Sequence, residues 1–107
     1  MPKKISESAP IHPFVLDKIS MWGKAISAQR KMRKITMRDF AHRANISLNT
    51  LQRIERGEHS VLAGNYLHAM WVLGILDNLC STPDAAMMAS LVKRVRNTIS
   101  KDDPDYY

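Results

Sequence analysis

Between Leu48 and Arg56 the chain offers side chains suited to flat, polar edges: Leu48, Asn49, Thr50, Gln52, Arg53 and Arg56. An Asn or Gln amide sets a donor beside an acceptor and matches adenine, while an Arg guanidinium forks onto guanine. Leu48 would meet a thymine methyl. Around this run stand groups that bind phosphate oxygens: Thr36, Arg38, Ser47, Thr50, Arg56 and the cluster Lys31, Arg33 and Lys34. Between Lys24 and Arg56 nine basic residues face two acids, Asp39 and Glu55, so this third of the chain holds the whole +6 net charge. Such a segment attracts phosphate backbones whatever their sequence.

Other chemistry lacks its parts. His12, His42, His59 and His68 are scattered and Cys80 is alone, so no metal spacing exists. His42 and His59 flank the basic unit and are secondary candidates for phosphate contact. There is no Gly-rich phosphate loop and no GxSxG, and Asp102 and Asp103 are adjacent with no scaffold to hold them. Neither an enzyme nor a cofactor is expected. One cysteine cannot form an internal disulfide, which suits a reducing cytosol, and a buried, inert thiol is the expectation for Cys80. The longest apolar run, Ala69 to Leu76, is too short to span a membrane. A cytoplasmic protein, nucleoid-associated when bound to DNA, is expected.

The polar run needs a scaffold, and the flanking sequence provides one. Gly and Pro are sparse and no alternating Val/Ile/Thr runs appear, so the chain reads as all-α. Thr36 is a good N-cap with Asp39 three residues on, as in a capping box. Met37, Phe40, Ala41 and Ala44 recur at helical spacing. Asn45 tolerates the left-handed conformation of a tight turn, Ile46 plugs the corner, and Ser47 caps the next helix. That helix buries Leu51 and Ile54 and stops at Gly57. Two short helices about a tight turn make the helix-turn-helix pattern. Upstream, a helix from about Phe14 to Arg33 carries Val15, Ile19, Trp22, Ile26 and Arg30 on one face, with Gly23 allowing close packing. Arg30 therefore points inward, as does Glu55, four residues after Leu51. Two inward charges need each other, so this pair is read as structural.

At these residues the chain resembles the lambda-repressor-like, or XRE-type, DNA-binding domain. Thr36, Phe40, Ala41, Ile46, Ser47, Leu51, Ile54, Glu55 and Gly57 carry the resemblance, with Arg30 upstream. It implies four to five helices over residues 14–80, an ion pair between Arg30 and Glu55, and a double-stranded operator as ligand. The family usually has Gln after Thr36 to help hold a phosphate; here Met37 stands, and Arg38 is the available substitute.

Residues 1–13, with three prolines, read as a flexible arm. A fourth helix is expected from about Ala63 to Leu73, with Tyr66, Leu67, Met70 and Trp71 as its apolar face and Gly74 as its cap. Gly64, Tyr66 and Leu67, then Leu73-Gly74-Ile75-Leu76-Asp77-Asn78-Leu79 and the later Lys93-Arg94-Val95-Arg96, are similar to HipB-like antitoxins. That resemblance implies a HipA-like serine/threonine kinase as partner and autorepression of a shared operon. Ser81-Thr82-Pro83-Asp84 predicts the start of an additional C-terminal amphipathic helix over 81–100, striped by Met88, Leu91, Val92, Val95 and Ile99. With Trp71, Ile75 and Leu79, the residues Met88, Leu91, Val92 and Val95 form a candidate dimer or partner face; folding back on the chain's own domain is the alternative. A homodimer is favoured, because repressors of this class pair recognition helices about one DNA turn apart. The methionines read as core filler, and 101–107 as an acidic tail. A stand-alone phage or plasmid repressor, or an adaptor that has lost DNA binding, are the competing functions.

Overall fold

The computed structural model describes residues 10–89. Five helices follow in order: α1 Pro13–Met32, α2 Met37–Arg43, α3 Leu48–Glu55, α4 Ala63–Val72 and α5 Leu76–Leu79. A further helical turn covers 85–89, and no strand occurs among the described residues. The all-α expectation holds. No described helix is long and apolar enough to cross a membrane.

Helix α1 packs on α3 and α4, α2 packs on α3, and α4 packs on α5. The core they enclose is Ile26, Phe40, Leu51, Ile54, Tyr66, Ala69, Met70 and Leu73, all at most 2% exposed. One Leu of this kind, fully buried, contributes roughly 1.5–3 kcal/mol. Close approach of α1 to the end of α3 depends on two glycines. A methyl on Gly23 would strike the Ile54 carbonyl oxygen, and one on Gly57 would strike the Ser20 backbone. Gly23 thus allows close packing, as its place beside Trp22 suggested.

The first four helices end alike. After each, one residue turns left-handed: Lys34 (φ 57°), Asn45 (56°), Gly57 (74°) and Gly74 (75°). In each case the next N–H reaches back to close the helix: Ile35 to Arg30, Ile46 to Ala41, Glu58 to Arg53 and Ile75 to Met70. This is the Schellman closure. Ile35, Ile46 and Ile75 then pack on the core. After α3 the same position holds Glu58 instead. Asn45 and Gly57 act as expected. Lys34 was not foreseen there, because a lysine has no special tolerance for positive φ.

Several boundaries and faces differ from expectation. Pro13 belongs to α1 rather than to the arm, and His12 Nδ1 accepts the Phe14 N–H at 3.0 Å as its cap. Residues 1–9 of the arm lie outside the described residues. Helix α4 stops at Val72, and Asp77-Asn78-Leu79 belong to the separate short helix α5. Ser81 does not cap the last helix. The Asp84 carboxylate does, accepting the Met87 N–H at 2.8 Å, so helical structure begins at 85.

Trp71 is 64% exposed rather than part of the packed face of α4, and Ala69 takes the buried position. Ile75 and Leu79 are half-buried: they pack against the core and also line an open depression with Ala25, Ala28, Gln29 and Asn78. Cys80 is exposed, not buried, because it follows the end of α5. Met70 is core, but Met21, Met32, Met87 and Met88 are exposed, which corrects the core-filler reading. Leu91, Val92, Val95 and Ile99 lie outside the described residues.

Candidate nucleic-acid interface

Each helix of the motif is started by a hydroxyl. Thr36 Oγ1 accepts the Asp39 N–H at 3.1 Å, and Ser47 Oγ accepts the Thr50 N–H at 2.9 Å. Ser47 also donates to Thr50 Oγ1 at 2.8 Å, so these two proposed phosphate ligands are already bonded to each other. Asp39 does not close a capping box; its carboxylate takes Arg43, one turn on, at 3.1 Å. Caps of this kind each contribute about 1 kcal/mol.

Helix α3 is sharply two-sided. Leu51 and Ile54 are fully buried, while Asn49 and Gln52 are exposed and Leu48 and Thr50 are half-buried. The amides therefore stand away from the protein, as base contact requires. The inward side ends in Arg30 and Glu55. Arg30 Nε donates to Glu55 Oε2 at 2.7 Å and Nη2 to Oε1 at 3.1 Å. Nη1 donates to the Ile35 carbonyl at 2.7 Å. Both side chains are under 10% exposed, and three charge-assisted bonds satisfy them. The structural role expected for this pair stands on that geometry.

Arg53 behaves differently from its neighbours. It was expected to project toward a base edge, yet its Nε donates to Glu58 Oε1 at 2.9 Å and its Nη2 to Ser60 Oγ. Arg56 takes the other carboxylate oxygen, Oε2, with Nε at 2.9 Å and Nη2 at 2.8 Å. Bonds from these two guanidiniums hold the Glu58 carboxyl below its ordinary value. The Glu58 backbone is fixed as well. Its N–H closes α3, and its carbonyl accepts the Tyr66 hydroxyl at 2.7 Å. Burial, and then the Glu58 charge, push the Tyr66 phenol up.

Glu58 and Ser60 were missed as members of this surface, and so was the hold of the buried Tyr66 hydroxyl on the Glu58 carbonyl. The sequence does contain a signal, Arg53-x-x-Arg56-Gly57-Glu58, which sets one acid within reach of two arginines once Gly57 reverses the chain.

The remaining basic candidates are exposed, and they are not all gathered on α3. Arg33 and Lys34 line a depression of about 320 Å³ with Asp39, Arg43, Val72 and Leu73, and no residue of α3 lines it. Lys31 and Arg38 are exposed, and His42 and His59 are exposed. Among the described residues no group of three His, Cys, Asp or Glu side chains is placed to hold a metal.

No curated protein and no solved structure matches the chain. Residues 26–65 match a family model described as helix-turn-helix, the span from Ile26 in α1 into the start of α4. That match covers less than half of the chain, and it places a helix-turn-helix in the stretch that holds α2 and α3.

Proposed function

We propose that this protein is a sequence-specific repressor that binds its operator as a homodimer. Helix α3 enters the major groove. Asn49, Gln52, Arg53 and Leu48 meet base edges, while Thr36, Arg38, Ser47, Thr50, Arg56 and the Lys31, Arg33, Lys34 cluster contact phosphates. The observation that supports this most directly is the pair of exposed amides, Asn49 and Gln52, on a helix whose opposite side is wholly buried.

The test is binding to duplexes from the gene's own upstream region and to random duplex at matched salt. Specific binding should exceed random binding by about 10³-fold or more. Asn49→Ala should cost about 1–3 kcal/mol and relax preference at one base pair, whereas Lys34→Ala should weaken all sequences and flatten the salt slope. Equal binding to both duplexes would leave the adaptor reading in place.

Within this function we propose the antitoxin role: restraint of a HipA-like kinase and repression of the shared operon. The support is the segment Leu73-Gly74-Ile75-Leu76-Asp77 and the run Lys93 to Arg96. Co-purification with the product of the neighbouring reading frame decides it. A stable complex supports the antitoxin; a lone protein favours a stand-alone repressor.

A further inference from the structure

On the reading of α3 as the base-contacting helix, we propose that Glu58, together with Ser60, is a specificity-determining residue that sets the Arg53 guanidinium to read a guanine. A guanidinium is a planar fork of five N–H donors. Glu58 Oε1 takes the one on Nε, and Ser60 Oγ takes one on Nη2. Two partners, one on Nε and one on Nη2, fix the plane of the group. Nη1 and one hydrogen of Nη2 are left unused by these bonds. That pair matches the O6 and N7 acceptors of guanine in the major groove.

The acid is held as a built part rather than a stray surface charge. Its N–H bonds to the Arg53 carbonyl, its carbonyl receives the Tyr66 hydroxyl, and Gly57 supplies the left-handed turn between. At the same point of the other three helix ends the chain places an isoleucine against the core. Here the side chain is released from packing and spent on two arginines.

A carboxylate on a DNA-binding face weakens attraction to any phosphate backbone, so its presence trades general affinity for discrimination. Arg56 on Oε2 limits that repulsion. Arg53, held beforehand, gives up its rotamer freedom on folding instead of on binding.

The experiment uses the full chain and a random-sequence duplex library, followed by affinity measurements on the enriched duplex and its single-base variants. The wild type should enrich a site with a guanine whose replacement weakens binding about ten-fold or more. Arg53→Ala should lose preference at that base pair. Glu58→Gln should cut the same preference to about three-fold or less, while its binding to random duplex tightens. Ser60→Ala should give an intermediate loss at the same base, and it serves if Glu58→Gln does not fold. Full guanine discrimination in folded Glu58→Gln, or a loss at a different base pair from Arg53→Ala, overturns the proposal and leaves the DNA-binding function standing. A wild type that enriches no sequence overturns both.

Discussion

Helix α3 meets an arginine–glutamate pairing on each of its two sides, in opposite surroundings. Inside, Arg30 and Glu55 bond in a bidentate fork with both side chains below 10% exposure. Outside, Arg53 and Arg56 share Glu58, with side chains from a third to well over a half exposed. The chemistry is the same, and the consequences differ. A buried charge cannot exchange its partner for water, so the inner pair is obligatory once α1 and α3 pack. An exposed pair competes with solvent on nearly equal terms and contributes little to stability. The inner pair therefore fixes where α3 sits, and the outer cluster leaves its arginines available for a ligand.

Four substitutions test this contrast, in falling order of expected effect. Glu55→Ala strands the Arg30 charge in the interior and should cost about 3–5 kcal/mol in chemical denaturation. The double change Arg30→Met with Glu55→Leu should recover most of that loss; if it does not, the pair does more than neutralise itself.

Gly23→Ala pushes a methyl into the Ile54 carbonyl and should cost about 1–3 kcal/mol by thermal melting. An unchanged melting temperature would show that the close α1–α3 approach is not what seats the inner pair.

Tyr66→Phe removes the bond to the Glu58 carbonyl and should cost about 1 kcal/mol. Because the folded phenol is raised, the wild type is at full strength below the ordinary tyrosine value of 10.0 and weakens as pH rises through it. The Phe variant should lack that alkaline loss in a pH-dependent melt.

Glu58→Gln should melt only slightly below the wild type at neutral pH, because an exposed pair contributes little. Its carboxyl is depressed in the fold, so the stability it adds is present above the ordinary value of 4.5 and disappears as pH falls through the folded one. The two proteins should converge in acid. A neutral-pH loss as large as that of Glu55→Ala would break the distinction between the two sites.

The inner pair was legible in the sequence, since the family resemblance implies it and Arg30 continues the stripe of Ile19, Trp22 and Ile26. The outer cluster was not. Glu58 lies beyond a chain reversal, where no periodicity places it, and Arg53 seemed free because its partner is five residues on. Faces with several apolar choices were also ambiguous. Trp71 and Ala69 both suit a buried position on α4, and the fold chose the smaller residue. Cys80 and the exposed methionines followed the same pattern, because composition gives polarity but not direction.

Local chemistry in the chain was enough to specify α1 to α4, the hydroxyl caps of α2 and α3, the turn at Asn45 and the stop at Gly57. Each of these rests on contacts between residues a few positions apart. Packing decided the rest: the seat of α1 against Gly57, the exposure of Trp71, and the diversion of Arg53 onto Glu58 and Ser60. Those outcomes depend on which surfaces meet once the helices are assembled. No window of sequence contains that information, because the competing partners become neighbours only in three dimensions.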